Sequence, residues 1–212
     1  MNEKPRSNKA EARIEAQRER ILLAAQQCFI EHGFHGASMA SIAETAGMSA
    51  GLIYRYFENK NAIIRAIVQQ QLEFLRDDLS LSRKVDLAAV MVARFGTACA
   101  QQEHGMNAAL LLEISAEATR DAKVAEALDE FDTTLRTGLT EWLTRSPDTG
   151  GHGLPAEFAP PRALILQCLY EGLKVRETRE PNLDRELLAA AVGEFVPLLL
   201  KPPQGRGGCA SK

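Results

Sequence analysis

Met39, Ile42, Ala43 and Ala46 recur at i, i+3, i+4 and i+7, and the run stops at Gly47. That spacing is a short amphipathic helix with one dry face. Ser38 stands where an N-cap belongs, and Ser49, just past the glycine, offers a second cap. A second short helix is expected from there to about Phe57. Two short helices joined by a glycine-containing turn form a helix-turn-helix pattern. Neither is long enough to stand alone in water. Other helices must therefore hold the pair in place.

The rest of the chain supplies them. From Glu11 a stripe of Ile14, Ile21, Leu22, Ala25 and Phe29 predicts a helix ending at Gly33. Asn59 can cap a fourth helix, with Ile63, Ile64, Ile67, Val68, Leu72 and Leu75 facing inward. Helices are further expected over 85–100, 106–118, 123–143, 162–178 and 185–196, with Pro197 ending or kinking the last. Residues 146–161 hold four prolines and three glycines and read as a loop. The fold class is all-α, with about nine helices in total. The expected divisions are a flexible arm over 1–10, a helix-turn-helix domain over 11–58, a larger helical domain over 59–202 and a disordered tail over 203–212.

Bulk composition narrows the function. The chain has 212 residues, 45% apolar and 25% charged, an ordinary globular balance. Net charge is −3, which by itself argues against a nucleic-acid binder. The charge is uneven, however. Residues 1–60 carry eight Lys/Arg and seven Asp/Glu, net +1, and the remainder 17 against 21, net −4. The N-terminal part permits contact with phosphate. Four widely spaced cysteines without a CxxC pair give no disulfide framework or zinc ribbon. No apolar run approaches a membrane span, and the polar start does not read as a signal peptide. The expected location is the reducing cytoplasm. Without GxSxG, GxGxxG, HExxH or P-loop motifs, the sequence does not read as an enzyme.

On a helical wheel over residues 50–57, Ala50, Ile53 and Phe57 share the core side. Arg55 falls roughly opposite, beside Gly51 and Leu52, with Tyr54 and Tyr56 on the flanks. This suits a helix entering a major groove. Arginine bonding guanine through two N–H groups is the commonest specific contact there. Gly51 lets the backbone come close, and tyrosine hydroxyls can reach phosphates on either side. Helix N-termini at Ser38 and near Lys60 favour phosphate, and Lys60 adds a charge. The same pattern also fits a plain helical hairpin with half-buried tyrosines, so function needs a second line of support.

The stretch "RERILLAAQQCFIEHGFHGASMASIAETAGMSAGLIYRYFENKNAIIRAI" supplies it. It closely resembles the N-terminal DNA-binding domain of the TetR family of bacterial transcriptional regulators, over about residues 18–68. The resemblance implies a three-helix DNA-binding domain joined through a fourth helix to a larger helical ligand-binding domain. It implies a homodimer built mainly from the last two long helices, a palindromic double-stranded DNA operator and a small-molecule effector, with repression as the default. Carried over by position, Ser38 and Ala40 open the first helix of the motif. Ser49, Ala50, Gly51, Leu52, Tyr54, Arg55 and Tyr56 occupy the recognition helix and its cap. Lys60 holds the lysine at the start of the fourth helix. Alanine at 40 gives up a polar base contact and shifts specificity toward Arg55 and DNA shape. "ALILQCLYEGLKVR" resembles the penultimate helix. The expected interface residues are Leu164, Gln167, Cys168, Glu171, Val175, Leu188, Val192 and Phe195.

Other constellations have two readings each. Met91, Phe95, Cys99, Leu110, Ile114, Phe131, Trp142 and Tyr170 fit either an effector cavity or plain core. Glu113 and Glu117 share a face. They suit either a cationic effector or ordinary pairing, Glu117 with Arg120 and Glu113 with a distant base. Cys28, His32 and His35 lie close in sequence, but no fourth ligand is near, and no metal or cofactor is expected. A Cys99–Cys168 redox switch lacks an electropositive setting. The functional alternative to a DNA-binding regulator is a helical scaffold that turns Tyr54, Arg55 and Tyr56 toward a protein partner.

Overall fold

A computed structural model describes residues 5–80, 85–96 and 107–202. Those residues hold nine α-helices, one 3₁₀ turn and no strand. They are α1 (Pro5–Gly36), α2 (Met39–Thr45), α3 (Ala50–Ile53), α4 (Lys60–Ser80), α5 (Leu87–Arg94), α6 (Ala108–Ala118), α7 (Ala122–Thr144), α8 (Ala159–Arg179) and α9 (Arg185–Leu200). The expected all-α class holds. Cys99 and the tail at 203–212 lie outside the described residues. Helix α1 begins at Pro5, inside the stretch expected as a flexible arm.

The chain divides into two compact units. One contains the chain to Phe74 together with α6 and α7 as far as Phe131; the other contains the rest. In the first unit α1 packs on α2 and on α6, and α2 packs on α3. Its core collects Ile21, Leu22, Ala25 and Phe29 of α1, Ile42 and Ala43 of α2, and Ile53 of α3. Ile63, Ile64, Ile67 and Val68 of α4 join them with Leu110 and Ile114 of α6. This answers how two short helices persist: their few apolar side chains are buried by longer neighbours.

Gly33 breaks α1 with φ of +71°, and one more turn follows before α2. Gly47 ends α2 with φ of +61°. Its N–H donates to Glu44 O, and the Met48 N–H donates to Ala43 O, both at 2.9 Å. This is a Schellman ending, which places a left-handed residue after the helix and favours glycine there.

In the second unit α5 and α8 pack on α9. Met91, Phe95, Leu143, Leu166, Leu188, Val192 and Val196 form its centre. One expectation fails here and another narrows. Helix α5 stops at Arg94 and does not continue toward 100. Phe95 takes an extended conformation that buries its ring, Gly96 follows at φ +68°, and Arg185 Nη2 donates to Phe95 O at 2.9 Å. Pro197, expected to end or kink α9, does not end it, and the helix continues to Leu200. The Arg162 guanidinium accounts for part of this by donating to the carbonyls of Leu199 and Lys201, groups that a helix end leaves unpaired. The loop after α7 is pinned as well. The Trp142 indole donates to Gly150 O at 3.1 Å, and the His152 ring stands edge-on to Trp142 at 4.4 Å. Burial pushes the His152 imidazole below its ordinary value.

Candidate nucleic-acid interface

The helix-turn-helix starts from two serine caps. Ser38 Oγ accepts from the Ser41 N–H at 3.0 Å, and Ser41 Oγ accepts from the Ser38 N–H at 2.8 Å. This reciprocal box satisfies two donors at the start of α2. Ser49 Oγ accepts from the Leu52 N–H at 3.3 Å and starts α3. Asn59 Oδ1 accepts from the Ala62 N–H at 2.9 Å and starts α4.

Helix α3 is shorter than its pattern suggests. It ends at Ile53, and Tyr54, Arg55 and Tyr56 form the turn that follows. Arg55 N–H donates to Leu52 O at 3.2 Å and Tyr56 N–H to Ile53 O at 2.9 Å, so the backbone tightens to i→i+3 spacing. Tightening brings Phe57 back into the core, where Ile53 and Phe57 are both buried. Arg18 stacks over the Phe57 ring at 5.0 Å and braces it from α1. Ala50, expected on the core side, is exposed, because so short a helix has only one fully buried position.

Tyr54 and Arg55 face outward although the helix ends before them. Tyr54 is 56% exposed, Arg55 is exposed, and Tyr56 is half-buried against the core. The Arg55 guanidinium makes no hydrogen bond or ion pair with another of the described residues. Ser38, Ala40, Ser49 and Gly51 are exposed as well, and Leu52 is half-buried. A Cβ built on Gly51 would meet nothing within 4 Å. The chain's own packing therefore does not require glycine there, whereas an approaching surface would benefit from one.

Lys60 behaves differently from a free phosphate contact. Its ammonium donates to Phe34 O at 2.5 Å and Ala37 O at 2.6 Å and lies 4.5 Å from the Phe34 ring centroid. Burial lowers its pKa, and the nearby Glu117 carboxylate opposes that. Glu113 and Glu117 also face this region. Glu113 accepts from the Phe34 N–H and the Glu117 carboxylate from Asn61, while the Arg120 guanidinium donates to Ala116 O at 3.0 Å and only its backbone N–H reaches Glu117, at the carbonyl. These links join residues far apart in sequence, so no local pattern announces them. Cys28 is buried with its sulfur on the Thr45 hydroxyl, and His35 faces Glu117. Among the described residues no group of three metal-ligating side chains gathers.

The effector-cavity candidates fall into two cores. Leu110, Ile114 and Phe131 belong to the first unit, and Met91, Phe95, Trp142 and Tyr170 to the second. In the second unit Met91, Phe95 and Tyr170, with Arg94, Leu173, Lys174 and Glu177, surround a space of about 10 Å³, room for about one water. Lys174 is only 4% exposed and pairs with Glu177 at 3.1 Å. Sequence reading passed over it because lysine on a helix is usually solvated. On α8 and α9, Leu164, Cys168, Glu171 and Phe195 are exposed, and Val175 is half-buried. Gln167, Leu188 and Val192 instead face the chain's own core. Ile165, Leu187 and Leu198 are exposed apolar residues that the expected set left out.

Comparison with known proteins bears on this geometry. Residues 21–67, which contain α2 and α3, match the sequence profile of bacterial regulatory proteins of the tetR family. The transcriptional regulator UidR of Escherichia coli K12 is 30% identical over 157 residues, covering 72% of this chain and 78% of UidR. The chain belongs to the TetR family. It is a TetR-family transcriptional regulator, and the family is a DNA-binding one. Likeness extends over nearly the whole length in a second relative. The regulator SrpR of Pseudomonas putida is 26% identical over 203 residues, 93% of this chain and 92% of SrpR. The solved structure of Salmonella enterica GusR superposes with a TM-score of 0.69 at 27% identity, covering 87% of this chain and 95% of GusR. As in the TetR resemblance, a helix-turn-helix precedes further helices. No helix among the described residues is long and apolar enough to cross a membrane.

Proposed function

We propose that this TetR-family chain acts as a homodimeric repressor whose grip on a palindromic operator is released by a small-molecule effector. The observation that carries the DNA-reading part is the exposed Arg55, whose guanidinium has no partner among the described residues, between Tyr54 and Tyr56 on a turn anchored by Ile53 and Phe57. Arg55 reads a guanine edge, and the tyrosine hydroxyls and the N-termini at Ser38 and Ser49 take phosphates. Ala40, Ala50, Gly51 and Leu52 shape the approach. Two such heads in a dimer meet successive major grooves about one helical turn apart.

Effector binding in the helical C-terminal part shifts the population toward a spacing that no longer matches the operator. The effector enters beside Met91, Phe95 and Tyr170, where the buried Lys174 and its partner Glu177 supply polar groups, and it widens a space that holds about one water without it. Repression is the default that the family resemblance implies. The deciding experiment is Arg55→Ala, tested against a duplex enriched by the wild-type chain from a randomised pool. Affinity should fall by about 1–3 kcal/mol, with relaxed preference at one base pair. A wild-type chain that shows no salt-dependent DNA binding would sink the proposal.

A further inference from the structure

The DNA-reading elements are gripped by a helix outside them in sequence. Glu113 Oε2 on α6 accepts from the Phe34 backbone N–H at 2.7 Å, immediately after the Gly33 break. Its carboxylate oxygens lie 3.5 and 3.6 Å from where a Cβ on Gly33 would stand. One turn along α6, Glu117 is 6% exposed. Its Oε1 accepts from Asn61 Nδ2 at 3.3 Å, at the first turn of α4. Its Oε2 lies 3.7 Å from His35 Nε2 and has no hydrogen-bond partner among the described residues. Asn61 also donates to Asp121 at 2.5 Å. Lys60 closes the ring by donating to Phe34 O and Ala37 O.

This arrangement differs from the apolar packing in the rest of the unit. Apolar contacts tolerate sliding, whereas hydrogen bonds weaken steeply with angle and distance. Glu113 holds the start of the turn that leads into α2, and Glu117 holds the start of α4. The two carboxylates therefore fix both ends of the DNA-reading segment from a single helix. The orphan oxygen of Glu117 leaves part of its desolvation uncompensated.

We propose that Glu113 and Glu117 are a positioning pair through which α6 sets the DNA-binding competence of the head, acting through Phe34 and Asn61 and not by touching DNA. This rests on the DNA-binding reading above. Loss of the pair lowers the competent fraction, and apparent affinity falls with that fraction.

The test uses the full-length chain and the duplex enriched from a randomised pool by the wild type. Glu113→Ala/Glu117→Ala should retain its helical content yet bind roughly tenfold more weakly or worse. Its salt slope should be unchanged, because no phosphate contact is lost. Backbone amide exchange should accelerate over 34–46 and 61–67 and stay unchanged over 185–200. Glu113→Gln, whose amide oxygen still accepts from Phe34 N–H, should bind as the wild type does. Arg55→Ala should weaken binding without altering exchange. Wild-type affinity and exchange in the double variant overturn the proposal, as does acceleration spread evenly over the whole chain. If the wild type enriches no duplex, the DNA-binding reading fails, and the exchange pattern alone decides on the pair: local acceleration supports it, and unchanged exchange overturns it.

Discussion

Lys60 sits at the helix start where the family resemblance places a phosphate contact, and its ammonium instead points into its own chain. It bonds two carbonyls and covers the Phe34 ring. A charged donor on a partly buried carbonyl contributes about 1.5–3 kcal/mol. Lys60→Met keeps the stem and the ring contact but removes both bonds. Urea denaturation should show a loss of about 2 kcal/mol. The salt slope of DNA binding should stay as in the wild type, since each lost phosphate contact would reduce it by about one. Unchanged stability with a reduced slope would return Lys60 to the phosphate role. Arg55 is the contrasting case. Its guanidinium has no partner among the described residues, so its substitution should cost binding and leave stability nearly intact.

The Gly47 turn sets the relation between α2 and α3. Its positive φ is one constraint, and a second lies in the space around it, where a Cβ would stand 2.7 Å from Arg20 Nη2. Gly47→Ala should destabilise the fold by about 1 kcal/mol or somewhat more, because alanine is strained at positive φ and Arg20 must swing aside. Thermal unfolding measures the first effect. A matching loss of duplex affinity in the still-folded protein would show that the turn also aims α3. The elements best legible in the sequence are those with local causes. The Ser38, Ser49 and Asn59 caps and the Gly33 and Gly47 stops lie where side-chain chemistry within four residues puts them. Misread ends have distant causes. Burial of Phe57 tightens α3, Arg185 takes the carbonyl of Phe95 as α5 ends, and Arg162 caps α9 beyond Pro197. The candidate site divides in the same way. The exposure of Tyr54 and Arg55 has a local cause in the short turn around the buried Ile53 and Phe57, whereas Glu113 reaches Phe34 from 79 residues away.

The proposed repressor pairs two heads, and exposed apolar side chains on the last two helices suit such a pairing. Leu164 and Phe195 are 46% and 45% exposed, with Ile165, Leu187 and Leu198 exposed on the same two helices. Exposed apolar side chains in such number on two helices mark an association surface. Gly172 and Gly193 have open space where a Cβ would sit, which allows another helix to come close. Leu164→Glu/Phe195→Glu places like charges on that surface, and in a two-fold interface each copy meets the same charges. Both positions are exposed in the single chain, so the fold should survive. Sedimentation should then report a monomer where the wild type is a dimer. Operator affinity should fall steeply, because two half-sites bound by separate chains no longer share one binding event. A dimer that persists in the variant would move the interface away from Leu164 and Phe195. A monomer that still binds the operator with full affinity would remove pairing from the mechanism.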